Sequence, residues 1–382
     1  SHTDPNIVVV GNVGWSHSSD GGTTWVAGCG LEVDFHSVNF HPSQPKIAYI
    51  GYDQGIGRVD FNDYQQVWCN GPTGYTQESR PKQTELGKAG GFNTTQIHYG
   101  DYFPESFGDD IIMGQQDGGS FSTAGSGSSR ITVGDGAYSF INKQDPTKGY
   151  SSTQNGNMVY STDATNNTGY SSWGAWGPIS SSSPNWVTNY AGNDADGKQI
   201  YVASNADVHR SIDGLNFTTV MSHGGLKAVI TACSADLNPV VYVAGYDNSV
   251  PKFDIIRIDN AKTASSGTTF STLIDYSVAG SPYRMTVDPN DQYTIYITTS
   301  KGKSYKISGL NNANPVVKNI EGNITDVQFN DVIGVEGDSD VLIAGTNIGV
   351  FYSLDDGTTW TLSNDFPHTK VNHLRLSLIH IS

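Results

Sequence analysis

"VLIAGTNIGVFYSLDDGTTW", from Val341 to Trp360, decides how the chain folds. An apolar run leads into a Thr-Asn-Ile-Gly turn, and a second apolar run ends at Ser353. Short β-rich runs joined by a Gly/Asn turn form a hairpin of half-buried strands. The last eight residues, SLDDGTTW, fit a further hairpin turn. Asp355 can accept backbone N–H groups inside it, and Gly357 can take positive φ without Cβ strain. Ser353 can bond the neighbouring backbone, and Trp360 can fold back and bury apolar area. Almost the same octapeptide, SSDGGTTW, places Ser18, Asp20, Gly22 and Trp25 near the start of the chain. A decayed copy, SIDGLNF, keeps Ser211 and Asp213 and puts Phe217 where Trp stood. A catalytic motif should not recur with decay in one chain, whereas a structural turn can.

The hairpin recurs as well. NIVVVGNVGWSHS starts at Asn6, KIAYIGYDQGIGRVD at Lys46, DIIMGQQDGGSFS at Asp110 and GYSSTQNGNMVYS at Gly149. QIYVASNADVHRS starts at Gln199, VVYVAGYDNSVPK at Val240, TIYITTSKGKSYK at Thr294 and VLIAGTNIGVFYS at Val341. Eight copies in 382 residues give about 48 residues per repeat, close to one four-stranded propeller blade. A leading strand with a Pro turn often precedes the hairpin, as in VDFHSVNFHPSQP, YRMTVDPNDQ and AVITACSADLNP. Proline presets such a turn and stays out of a central ladder. One such unit leaves a hydrophobic face bare, and radial stacking covers it. The expected fold is all-β: a β-propeller of about seven to eight four-stranded blades over residues 1–375.

Composition agrees. Only 15% of residues are charged, while the 44 glycines and 20 tyrosines suit short strands and tight turns. The net charge of −16 opposes nucleic acid and anionic lipid. No apolar run nears the roughly 18 residues of a membrane span, so no membrane insertion is expected. Cys29, Cys69 and Cys233 form no metal-ligand spacing. Cys29 and Cys69 can pair if neighbouring repeats bring them together, but free buried thiols are the expectation.

The octapeptides resemble Asp-box (bacterial neuraminidase repeat) motifs. These occur in sialidases, sortilin-type receptor domains, xyloglucan-hydrolysing double propellers and propellers like the photosystem II assembly factor. In those families the motif is a structural turn on the blade periphery, which the resemblance carries over to Ser18–Trp25, Ser211–Phe217 and Ser353–Trp360. From Glu32 to about Ser161 the chain also looks like secreted bacterial propellers of the sortilin/xyloglucanase-like group. Their D-x-H, D-x-G, Q-D-N-G-like and G-D-G turns appear as Asp34/His36, Asp53/Gly55, Gln116/Asp117/Gly118 and Gly134/Asp135/Gly136. The resemblance implies an extracellular or cell-surface protein.

Function is less legible. A sialidase needs three clamping arginines, and the few arginines here lack that setting. An inverting glycosidase needs two carboxyls about 6.5–9.5 Å apart. Asp34, Asp53, Asp117 and Asp135 are the pool for such a pair, or else turn caps. His36 is a candidate ligand contact or a satisfied histidine. Trp173, Trp176 and Trp186, spaced by Gly and Ser, offer flat faces that match the CH face of a pyranose, or they pack between blades. No metal or cofactor is expected, although Asp-rich turns allow Ca²⁺. The expectation is a propeller binding a glycan or extracellular protein at its channel mouth. Glycoside hydrolase is the alternative, and an assembly scaffold a second one.

The ends carry two further expectations. The chain opens without Met on a strand lacking its leading partner, while KVNHLRLS near the other end reads as a leading strand without its blade. One can complete the other, or both mark a cut from a longer, multi-propeller protein. LSLIHIS (376–382) leaves the pattern and reads as a non-native tail, like the end of an assembled environmental fragment. The Cys69–Gly91 insertion reads as polar and poor in strands.

Overall fold

The computed structural model describes all residues except 2, 30, 32–33, 54, 72–73, 87–95, 105–107, 126–128, 167–172, 177–186, 247–251 and 377–382. The chain divides into two compact units, 1–96 and 97–382.

Each sheet is an antiparallel meander built from one continuous stretch. In the first unit, sheet one is Val8–Gly11, Trp15–Ser18 and Val26–Ala27. Sheet two is Phe35–Phe40, Ile47–Tyr52, Gly55–Gly71 and Gly74–Glu85.

The second unit holds six four-stranded sheets. Sheet three is Ile97–Tyr102, Ile111–Gln115, Gly119–Ser122 and Ser129–Arg130. Sheet four is Gly136–Ile141, Gly149–Thr153, Met158–Ser161 and Gly174–Trp176. Sheet five is Tyr190–Gly192, Ile200–Ala203, Asp207–Ser211 and Phe217–Ser222. Sheet six is Lys227–Cys233, Val241–Tyr246, Lys252–Ile258 and Thr268–Asp275. Sheet seven is Pro282–Asp288, Asp291–Thr299, Ser304–Ser308 and Val316–Asn319. Sheet eight is Phe329–Val335, Asp338–Thr346, Gly349–Ser353 and Thr361–Leu362. The one α-helix among the described residues is Tyr276–Ala279. No helix of the described residues is long and apolar enough to cross a membrane.

All eight repeats of the sequence pattern form hairpins of these sheets. Where both faces are covered, as at Ile200–Ala203 and Val241–Tyr246, the apolar run is continuous. Val241, Tyr242, Val243 and Ala244 are all fully buried. The core therefore lies between sheets. Tyr242 and Ile255 of sheet six share one cluster with Met285 and Ile297 of sheet seven. Val241 and Val243 point the other way, to Tyr201 and Val208 of sheet five. Sheets seven and eight meet through Tyr296, Ile320, Phe329 and Trp360. In the first unit, Trp15 packs with Phe35, Ile50 and Val59.

Three expectations change. Cys29 and Cys69 are joined in a disulfide, their Cα atoms 5.7 Å apart, rather than being free thiols. Cys233 alone remains a thiol, and burial pushes it up to about 12. Gly74–Glu85 is a long strand, although the insertion containing it reads as poor in strands; residues 87–91 lie outside the described part. Finally, the leading-strand reading of residues 370–377 does not hold for its described part. Residues 371–376 form no strand, and sheet one keeps three strands.

Candidate functional site

The SxDxGxxW turns close a local ring of hydrogen bonds. Ser18 Oγ donates to Asp20 Oδ1 at 2.7 Å and accepts from Gly22 N at 2.8 Å. Asp20 also accepts from Thr24 N at 2.8 Å and Thr24 Oγ1 at 2.6 Å. These Thr24 bonds hold the Asp20 carboxyl down at about 2. Ser353, Asp355, Gly357 and Thr359 repeat the pattern within 0.1–0.2 Å of each distance, at 2.9, 2.9, 2.7 and 2.7 Å. Gly22 and Gly357 take φ of +94° and +75°, where a Cβ would strain. Asp213 accepts from Leu215 N and Asn216 N, at 2.9 and 2.7 Å, and from the Asn216 side chain. Phe217 begins the outer strand of sheet five. In all three turns the aspartate accepts hydrogen bonds from backbone and side chains of its own turn.

The carboxylates proposed for chemistry fall into two pairs. In the first unit, Asp34 sits at φ +60° with its N–H on Val13 O. Its carboxylate comes within 4.8 Å of that of Asp53. His36 Nε2 contacts Asp53 Oδ1, and His36 is largely exposed. This is tighter than the roughly 6.5–9.5 Å that admits an attacking water in an inverting pair. The oxygens of Asp34 and Asp53 are hard donors of the kind Ca²⁺ takes. In the second unit, Asp135 Oδ1 accepts Asp117 N at 2.8 Å, and its Oδ2 accepts Gln154 Nε2 at 3.1 Å. Asp117 lies at φ +57°. That pair braces two adjoining turns.

The tryptophans separate. Trp173 is buried with Phe103, Ile112, Ile131 and Ile141. Its ring lies over Gly149, where a Cβ would come within 2.6 Å of it. That packing withholds the open ring face a sugar needs. The side chain of Trp176 and all of Trp186 lie outside the described residues.

An exposed aromatic face lies instead on the long hairpin of sheet two. Its register pairs Tyr64 with Pro81, Gln66 with Ser79, and Trp68 with Gln77. Directly paired residues share a face, and so do residues two apart on one strand. Tyr64, Gln66, Trp68, Tyr75, Gln77 and Ser79 therefore line one side. Trp68 is 65% exposed and Tyr75 71%. The opposite side holds Cys69, bound to Cys29, and Arg80, whose Nε donates to Ala27 O at 3.1 Å. One side of the hairpin is thus fastened down, and the other offers rings and amides without a formal charge. Sequence reading missed this face. The signal available was the alternation of Tyr64, Gln66 and Trp68 with Val67 and Cys69.

A second unread cluster sits among the first strands of the sheets in the second unit. Asp101 accepts from Ile141 N and Lys143 Nζ, at 2.8 and 2.7 Å. Arg284 bonds the Tyr99 hydroxyl and donates to His98 O at 2.9 Å. Asp331 is buried, which pushes its carboxyl up to about 6 against the opposing pull of Arg284.

No family model matches the chain, and no curated protein does. Solved structures do, and they define the class: the chain has a β-propeller fold. It is similar to the GH74 xyloglucanase from Xanthomonas campestris at 15% identity and a TM-score of 0.53, over 95% of this chain. The chain spans 53% of that enzyme's length. It is also similar to YCF48 from Cyanidioschyzon merolae, at 12% identity and a TM-score of 0.50, over 71% of this chain and 85% of that one. At such identities the likeness speaks for the fold alone, and fold does not determine function.

Proposed function

We propose that the protein is an exported β-propeller that binds a neutral glycan on the aromatic face of the Gly55–Glu85 hairpin. The observation that carries this reading is the exposure of Trp68 and Tyr75 together with Tyr64, Gln66 and Gln77 on one uncharged face. Flat rings stack on the CH faces of sugars, and amide side chains bond their hydroxyls. Tyr64 and Trp68, four residues apart, are spaced by roughly 13 Å along the strand, long enough for more than one sugar ring. The chain's charge of −16 disfavours anionic ligands and leaves neutral ones untouched. The Cys29–Cys69 disulfide favours an oxidising compartment and hence export. The exposed rings on the hairpin support this position for the ligand in preference to the channel mouth expected from the sequence.

Affinity electrophoresis through gels containing neutral polysaccharides, xyloglucan and other β-glucans among them, tests the proposal. The native chain is expected to be retarded, and Trp68→Ala with Tyr75→Ala to run freely. A native chain retarded by none of them, or a variant retarded equally, overturns it.

The close approach of Asp34 to Asp53, nearer the roughly 5–5.5 Å of a retaining carboxylate pair than the spacing of an inverting one, favours one second reading, a glycoside hydrolase. It requires reducing ends to appear from a β-glucan and to vanish in Asp53→Asn.

A further inference from the structure

Val371–Arg375 lies against sheets three and eight without joining a ladder. Its one backbone-to-backbone bond to the rest of the chain, among the described residues, runs from Val371 N to Thr346 O at 2.8 Å. Side chains of the host supply most of the other bonds. Asn330 Nδ2 donates to Val371 O at 2.9 Å, and Asp331 Oδ2 accepts Leu374 N at 2.9 Å. Gly100 N donates to His373 Nδ1 at 3.5 Å. Arg375 places Nη2 between both oxygens of Asp194, at 2.5 and 2.6 Å, and Nε on Asp101 Oδ1 at 3.2 Å.

A built-in strand would be held by a run of paired backbone bonds. Here the host reads an extended segment through discrete side chains, as peptide-binding sites do. The host groups are already oriented by their own sheets. Asp101 is fixed by Ile141 N and Lys143, and Asp331 accepts Val332 N at 3.0 Å. Preorganised acceptors of this kind lower the cost of binding. The preceding residues, 364–370, are exposed and serve as a tether. A short tether holds its segment at an effective concentration of the order of millimolar, so a modest intrinsic affinity keeps the site filled.

We propose that this cluster of Asp101, Asp194 and Asp331 is a binding site for an extended peptide carrying His and Arg two residues apart. Val371–Arg375 is its tethered resident, exchangeable for a partner segment of the same chemistry. The site is separate from the aromatic hairpin face and takes a cationic peptide where that face takes a neutral glycan.

Fluorescence anisotropy with a labelled synthetic peptide of residues 370–376 tests this on the full chain. Arg375→Ala, which loosens the resident, is expected to bind the peptide about tenfold or more tighter than the native chain does. Adding Asp194→Asn should abolish that gain, and a peptide with Ala in place of Arg should not bind. An Arg375→Ala chain that keeps its native near-UV circular dichroism yet binds no peptide overturns the proposal. If that variant unfolds, a protease site inserted between Asp365 and Phe366 decides the matter. After cleavage an exchangeable resident is replaced by excess labelled peptide, whereas a segment that stays in place overturns the proposal. Neither result depends on glycan retardation.

Discussion

Ser18–Trp25 and Ser353–Trp360 carry nearly the same eight residues and close the same ring of hydrogen bonds, but their tryptophans end differently. Trp360 is 4% exposed, edge-on to Phe329 at 5.4 Å, with Nε1 on Ile320 O at 2.7 Å. Asn323 accepts its backbone N–H at 2.7 Å. Trp25 is 45% exposed, and its Nε1 returns to Gly22 O of its own turn at 3.0 Å. The ring of bonds is local and travels with the octapeptide. Burial of the indole is not, because it needs Ile320, just past the outer strand of neighbouring sheet seven, and Phe329 from the first strand of its own sheet. The strand after the first turn is fastened by other means: two residues beyond Ala27 the chain reaches Cys29 and its bond to Cys69.

The largest expected effect follows from that contrast. Trp360→Ala should destabilise the second unit by about 3–5 kcal/mol in denaturant unfolding. A loss no larger than that of Trp25→Ala would break the comparison. Next is a pH effect in the strand beneath Trp360. Burial raises the Asp331 carboxyl to about 6, so the folded state holds its proton more tightly than the unfolded chain does. The Asp331 contribution to stability should therefore be fully present below about pH 4, fall by roughly 3 kcal/mol as pH rises to about 6, and stay level above it. Asp331→Asn should flatten that slope, and an unchanged slope would place the titration elsewhere. Reduction of Cys29–Cys69, which closes a separation of 40 residues, should cost the first unit about 2–4 kcal/mol and leave the second unaltered. Two resolved transitions in calorimetry, with and without reductant, check it. Smallest is Trp25→Ala, expected to stay within about 1 kcal/mol because nearly half of the residue is already exposed and its indole N–H bonds only its own turn.

What could be read from the chain follows the same division. The hairpin at Val241 was legible because its first strand is covered on both faces, which forces a continuous apolar run, and the one at Val341 because Leu342 and Ala344 are buried between half-exposed Val341 and Ile343. The local turn bonds of Asp20, Asp213 and Asp355 were legible because they lie within a few residues of one another. Gly74–Glu85 was not, since "GYTQESRPKQTE" is polar and its pairing rests on a register with Gly55–Gly71 and a distant disulfide. For Trp173 the Gly and Ser neighbours left both a sugar-facing and a packed reading open, and the structure shows the packed one. Its burial depends on the bare Cα of Gly149 and on Ile131, remote in sequence. The Asp34–Asp53 approach was foreseen only as a pool of carboxylates, because no spacing rule fixes how two turns meet.

The meander order of the sheets also sets a schedule for synthesis. Each sheet pairs strands that leave the ribosome one after another, so contacts within a sheet are short in sequence and can form while later residues are still being added. Contacts between sheets must wait for the next meander, and Trp360 can dock only onto residues already made. Val371–Arg375 emerges after Asp101, Asp194 and Asp331, and it reaches them last. A stalled or shortened nascent chain would therefore present those three carboxylates open to any Arg-bearing segment nearby.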